Sequence, residues 1–287
     1  MIKDYYSLTK PGIIYGNAIT LIAGFVLASH GKVDYLLLFL VFVGLSLVIA
    51  SGCVFNNYID RDIDRLMERT KKRAMVRGSI SPLAARIYGT VLGLLGFGVL
   101  LLYTNIITVT VSLVGFFVYV VVYSMWLKRS STHSAIVGSI SGAVPPVVGY
   151  IAVTGHFDLG ALLLFSILAL WQMPHSFAIA MYRLSDYTSA NIPVLPVKKG
   201  IQRTKVQILI YTILFFIAIE LLFAFGYVGI LYFFVMTTLG LMWIRLCLFG
   251  LYGTSVVDKD WARKIFLFSL VILVVFCVML VLEATFS

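Results

Sequence analysis

Nine runs of mostly apolar residues, each close to the length a helix needs to cross a bilayer, constrain this chain more than any other feature. They lie at roughly 11–29, 35–55, 83–102, 105–127, 135–153, 160–182, 205–225, 227–248 and 264–283. Inside hydrocarbon only a helix satisfies all of its own backbone polar groups, so a run of about 18 or more apolar residues reads as a spanning helix. Barrel strands would be about half that length with alternating polarity, and the runs show no alternation. Composition agrees: 61% of the 287 residues are hydrophobic and 12% are charged, where a soluble domain carries roughly 25% charged residues. A conventional soluble enzyme, a disordered chain and a disulfide scaffold are excluded. The expected architecture is all-α, one polytopic membrane domain over 1–287 with nine transmembrane helices, built as two four-helix halves plus one extra helix. The first run follows Lys10, begins at Pro11 and lacks a small-residue cleavage site, so it is expected to be retained as a span.

The basic residues give an orientation, because Lys and Arg accumulate in cytoplasmic loops. With the N-terminus placed inside, 21 of the 22 Lys and Arg residues fall on inner segments and Lys32 alone lies outside. A span count wrong by one would scramble that division. The expectation is a bacterial inner-membrane protein with a cytoplasmic N-terminus, cytoplasmic long loops and an external C-terminus. The net charge of +10 is then topological bias, and no nucleic-acid partner is implied. Cys53, Cys247 and Cys277 lie in spans at no metal-ligand spacing and read as small core residues.

Two inner loops, 56–82 and 183–204, are long and mix acids with bases, whereas the outer loops are short and nearly uncharged. Function in membrane proteins concentrates where polar residues interrupt the apolar pattern, which directs attention to this face. Asn56, Asp60 and Asp64 are spaced i, i+4, i+8. On a helix continuing from the second span they form one stripe that drifts by about 40° per step. Asn57 lies beside the stripe and Asp62 points elsewhere. Hard oxygen ligands in register suit Mg²⁺, which takes one or two carboxylates together with phosphate oxygens. The plainer alternative is a helix end laced by i,i+4 pairs to Arg61, Arg65 and Arg69. Asp186 follows Tyr182 by four residues at the end of the sixth span. Spans two and six are four apart, so two parallel halves would bring their acids to equivalent places; a solvated loop acid is the alternative.

Arg69, Lys71, Lys72, Arg73 and Arg77 stand in the first loop, and Lys198 and Lys199 in the second. With a divalent cation such bases would clamp a diphosphate; attraction to lipid headgroups is the competing use. The chain has neither a P-loop nor a dinucleotide fingerprint, which argues against a nucleotide donor. Deeper in the sixth span, His175 lies about two turns, roughly 10 Å, from the helix end, next to Pro174, which weakens the local backbone ladder. The Pro145-Pro146 pair is expected to break the fifth span. Trp171, Gln172, Tyr150 and Tyr182 are candidates to line a cavity there, with ordinary aromatic packing as the alternative. A transporter would place charge near the bilayer midplane, where only Glu220 is deep. A purely structural subunit leaves the in-register oxygen ligands unexplained.

Five stretches carry a family resemblance: TKPGI at 9–13, SGCVFNNYIDRDIDRLMERTKKR at 51–73, SGAVPPVVGY at 141–150, LWQMPHSFAIA at 170–180 and DYTSANIPVLPVKKG at 186–200. The chain resembles the UbiA-type intramembrane prenyltransferases over almost its whole length. Asn57, where that family often has Asp, resembles the branch that modifies haem. The resemblance implies transfer of farnesyl from farnesyl diphosphate to the 2-vinyl group of haem b, with addition of water, giving haem O and diphosphate. It implies Mg²⁺ on Asn56, Asp60, Asp64 and Asp186, with Asn57 in the same catalytic group. Arg69, Lys72, Arg73, Arg77, Lys198 and Lys199 would bind diphosphate. His175, Trp171, Gln172, Tyr150 and Tyr182 would form the acceptor pocket, with His175 against haem and its iron. The implied partners are the lipid bilayer and a haem A synthase or terminal oxidase downstream. The same fold with 4-hydroxybenzoate or a chlorin as acceptor is the rival.

Overall fold

The computed structural model describes residues 2–251 and 258–286. Among them, nine helices are long and apolar enough to cross a membrane: α1 (Pro11–Ser29), α2 (Tyr35–Ile59), α3 (Pro82–Tyr103), α4 (Ile106–Ser130), α5 (Ser134–Thr154), α6 (Leu159–Tyr182), α7 (Ile201–Ala224), α8 (Ile230–Leu251) and α9 (Asp258–Thr285). The expected count holds. Several helices outrun their apolar stretches: α2 continues to Ile59, α4 to Ser130, and α7 and α9 start at Ile201 and Asp258. A helical backbone is equally satisfied past the hydrocarbon, so polar residues extend it into the aqueous margin.

Local chemistry sets the helix starts. Asp34 caps α2 by accepting from the backbone N–H of Leu36 and Leu37, Asn105 caps α4 through Thr108, and Asp158 caps α6 through Ala161. Each satisfies a donor that the first helical turn cannot. At the start of α3, Ser81 caps Ala84 and Pro82 takes the first helical position, where its missing N–H costs nothing.

Without a hydrophobic drive between helices in lipid, close packing relies on small residues. A Cβ on Gly24 of α1 would overlap the Pro146 carbonyl of α5, and one on Gly149 would overlap the Leu21 carbonyl of α1. Backbones there run in direct contact. Gly44 and Gly96 play the same part between α2 and α3. The largest core lies among α6, α7, α8 and α9 around Phe215, Tyr232, Trp243 and Phe276. Helix α9 packs on α6, α8 and α1, which closes the bundle.

Three irregularities matter for the site. Helix α5 is split at Ala143 into Ser134–Gly142 and Val144–Thr154, because Pro145 and Pro146 lack the N–H groups a continuous ladder needs. Pro174, by contrast, leaves α6 unbroken over Leu159–Tyr182. Finally, α4 widens into π-helix over Val118–Leu127, where the Ser124 hydroxyl donates to the Tyr119 carbonyl at 2.8 Å. Such wide turns recur at functional sites, and this one faces the acids described next.

Candidate active site

Asn56, Asp60 and Asp64 converge at one end of the bundle, 3%, 0% and 1% exposed. The expected continuous helical stripe does not form. Helix α2 ends at Ile59 with Asp60 as its C-cap, and a single 3₁₀ turn follows at Ile63–Arg65. The cause is local competition for carbonyls. Arg61 donates to Tyr58 O at 2.7 Å and Arg129 donates to Ile59 O at 2.7 Å, using acceptors that the next helical turn would need. The register survives nonetheless, because the Asp64 N–H bonds Asp60 O at 2.8 Å. Asp62 points away to an exposed pair with Arg129, as its position outside the stripe suggested.

The buried acids sit among cations. Asn56 Nδ2 donates to Asp60 Oδ2 at 2.8 Å and to Ser124 Oγ at 2.9 Å. Lys10 donates to Asn56 Oδ1, Lys128 to Asp60 Oδ2, and Arg73 to Asp64 Oδ2 at 2.7 Å. Burial pushes the Lys10 ammonium down to about 8, since desolvation disfavours its charged form. The second oxygens, Asp60 Oδ1 and Asp64 Oδ1, are buried with no hydrogen-bond partner. A desolvated, unpartnered carboxylate oxygen is costly and is the donor type that a hard divalent cation such as Mg²⁺ satisfies. Among the described residues no three His, Cys, Asp or Glu side chains converge as a ready metal cage. The two unpartnered carboxylate oxygens would supply only part of a cation's shell, the rest falling to another ligand's oxygens.

The two long loops dock on one another. Asp186 Oδ1 accepts from the Glu68 N–H at 3.1 Å, and the Ser189 hydroxyl donates to Leu66 O at 3.0 Å. Ile63, Met67, Ala190 and Ile192 bury their side chains together beneath these bonds. Asp186 thus joins the end of the bundle that holds Asp60 and Asp64. Arg69, Lys72, Arg73 and Arg77 line a cleft of about 620 Å³ together with Lys3, Lys10 and Asn57. Asn57 spends its amide donors on the Leu8 and Cys53 carbonyls, both at 2.9 Å, so it fastens the short N-terminal helix Ile2–Leu8 to α2. Lys198 and Lys199 are exposed on the short helix Leu195–Lys199 and do not line that cleft.

Deeper in the bundle, His175 stacks on Trp171 with ring centroids 4.7 Å apart and lies 5.0 Å from the ring of Phe266. Gln172 packs against Gly142, where any Cβ would overlap its amide. Tyr182 closes the end of α6 with Arg183 and Lys259 over its ring. Tyr150 is not brought to this group. Its hydroxyl donates to Asp158 Oδ2 at 3.1 Å, at the start of α6 and a helix rise of roughly 25 Å from His175. The second half of α5 begins in mid-bundle and carries Tyr150 to the opposite end. Glu220 accepts from the Thr237 hydroxyl at 2.9 Å, also apart from the acids.

The model of the UbiA prenyltransferase family matches residues 17–271. The chain belongs to the UbiA prenyltransferase family. Similar proteins include ones named "Protoheme IX farnesyltransferase" from Sodalis glossinidius, 53% identical over 94% of this chain and 91% of that protein, and from Photorhabdus laumondii, 51% identical over 99% and 96%. A relative of the same name from Yersinia pseudotuberculosis is 50% identical over 98% and 94%. Among solved structures, a digeranylgeranylglyceryl phosphate synthase matches with TM-score 0.83 at 20% identity, over 100% of this chain and 99% of that one. A UbiA homolog from Archaeoglobus fulgidus, solved with GPP and Mg²⁺ bound, matches with TM-score 0.68 at 14% identity over 97% and 99%. These two likenesses establish the UbiA fold. The protein is a multi-span membrane prenyltransferase.

Within this family frame, four side chains join the site that sequence reasoning passed over. Lys10 and Lys128 count in the sequence only as topology-setting bases, yet they hold Asn56 and Asp60. Ser124 enters through the π-helical turn, and Ser269 through its contact with His175. Their places at span mouths did not separate Lys10 and Lys128 from the other topology-setting bases, and the serines gave no signal.

Proposed function

We propose that this prenyltransferase moves the farnesyl group of farnesyl diphosphate to the 2-vinyl group of haem b, adds water, and releases haem O and diphosphate. The observation that carries this reading is about one-half identity, over nearly the full length, to proteins named for farnesyl transfer to protohaem IX. The buried acids, the flanking bases and the apolar bundle support it from the side of chemistry.

Asp60 and Asp64 would hold Mg²⁺ through their unpartnered oxygens; Asn56 and Asp186, engaged with Lys10 and the Glu68 N–H, would have to close in when the ion binds. The ion supplies charge neutralisation for a departing diphosphate. Arg69, Lys72, Arg73 and Arg77, which line the cleft, bind diphosphate oxygens and stabilise the charge that grows as the bond breaks; Lys198 and Lys199 stand outside that cleft and would reach the diphosphate only from the exposed second loop. The allylic carbon–oxygen bond of farnesyl diphosphate breaks with its electron pair leaving on diphosphate. The terminal vinyl carbon of haem then supplies electrons for the new carbon–carbon bond. Water adds to the inner vinyl carbon and gives up one proton. The bundle excludes bulk water from the allylic cation, which would otherwise be hydrolysed. His175, Trp171, Gln172 and Tyr182 form the acceptor side, with His175 against haem. The N-terminus and both long loops face the cytoplasm of a bacterial inner membrane, the C-terminus lies outside, and a haem A synthase or terminal oxidase receives the product.

Acceptor choice tests the proposal. Purified protein in lipid, given farnesyl diphosphate and Mg²⁺, is offered haem b and 4-hydroxybenzoate in separate reactions. We expect haem consumption and untouched benzoate. Prenylated benzoate with unreacted haem would reject the haem assignment and leave the fold standing.

A further inference from the structure

Ser269 lies on α9, buried at 0% exposure, where no sequence motif marks it. Two side chains of α6 converge on it. Trp171 Nε1 donates to the Ser269 carbonyl at 2.8 Å, and His175 Nδ1 lies 2.7 Å from the Ser269 hydroxyl. That hydroxyl has one proton, and it donates to the Phe266 carbonyl at 2.6 Å. A serine oxygen whose proton is committed can only accept from the histidine. With the hydroxyl proton on the Phe266 carbonyl, Nδ1 carries the imidazole proton and Nε2 keeps its lone pair. No group among the described residues hydrogen-bonds Nε2.

We propose that Ser269 is a positioning residue for the acceptor site: it takes the Nδ1–H bond of His175 and so fixes the ring in the tautomer whose Nε2 is free to bind. This rests on the reading above that His175 meets haem, and it specifies how. A histidine ligates iron through an unprotonated nitrogen, and a hydrogen bond at the other nitrogen sets both tautomer and ring angle. Trp171 completes the clamp: its ring stacks on His175 at an interplanar angle of 26° while its N–H grips the Ser269 carbonyl. One residue of α9 thereby orients the two aromatic residues of α6. The contact also makes the position of α9 a condition of acceptor binding.

The test compares Ser269→Ala, Ser269→Thr and His175→Ala, purified in lipid, by the visible absorption spectrum of bound haem b and by haem titration. Ser269→Ala removes the acceptor and adds no bulk. We expect it to weaken haem binding by about 10- to 100-fold, the usual effect of losing such an outer hydrogen bond. Its haem spectrum should move toward that of His175→Ala, with farnesyl diphosphate binding unchanged. Ser269→Thr keeps the hydroxyl and should restore the original spectrum. A Ser269→Ala protein with the unaltered spectrum and affinity, beside an altered His175→Ala, would overturn the role of Ser269 and leave His175 at the haem. An unaltered His175→Ala would overturn the reading of His175 itself.

Discussion

Asp60 and Asp62 stand two residues apart and meet opposite fates. Asp60 is wholly buried, bonded to Lys128 on one oxygen and unpartnered on the other. Asp62 is largely exposed in a bidentate pair with Arg129. Asp60→Asn should lower kcat/KM for farnesyl transfer by about 100-fold or more, the scale for losing one preorganised electrostatic contact. A steady-state assay on protein that still folds would check it. Asp62→Asn should leave turnover intact and cost less than about 1 kcal/mol, since exposed pairs contribute little. Arg129 holds the Asp62 carboxyl down to about 2 from the ordinary value of 3.8. The pair therefore contributes in full above the ordinary value and fades as pH falls toward 2. Melting curves of the parent and Asp62→Asn proteins should converge over that interval. The spacing of Asn56, Asp60 and Asp64 was legible in the sequence, as was the outward turn of Asp62. Lys10 and Lys128 were not, because their burial depends on helices remote in the chain.

At the level of elements, the spans were readable because hydrocarbon imposes length and apolarity on each helix independently. Their ends and interruptions were less so. Helix α2 stops at Ile59 because Arg61 and Arg129 take the last carbonyls, and Arg129 comes from α4. The π-helical turn of α4 likewise has no signature in a run of Val, Tyr and Ser; within it Ser124 meets Asn56 of α2. The Pro145-Pro146 break was visible, since a missing N–H is a local property; Pro174 removes one ladder bond in the same way without breaking α6. Between α1 and α5 the backbones touch at Gly24 and Gly149. Gly24→Val should destabilise the bundle toward the upper end of roughly 1–3 kcal/mol typical of overpacking, because the obstruction is backbone and cannot rotate away. A thermal melt in detergent, with size-exclusion chromatography to report folded protein, would show it.

For the whole molecule, the two long loops form one charged end of a bundle whose walls are lipid-facing. Leu94, Leu102 and Phe249 are among the many large apolar side chains left exposed on it. A charged end on an apolar bundle suits the proposed reaction between two greasy molecules with one charged leaving group. The bias of basic residues predicts which side that end faces. A single cysteine at Lys198 should react with a membrane-impermeant maleimide only after cells are opened, and one at Lys32 should react in intact spheroplasts; the reverse pattern would invert the topology. The family and the general site were legible in long, specific motifs, whereas the clamp of Ser269 on His175 depends on α9 packing against α6, which no linear pattern records. The central claim is chemical, and mass spectrometry of the haem product tests it most directly. Protein in lipid with haem b, farnesyl diphosphate and Mg²⁺ should yield haem heavier by farnesyl plus water, and EDTA or Asp60→Asn should remove that product. Haem recovered at its original mass, with diphosphate released and farnesol formed, would contradict the account.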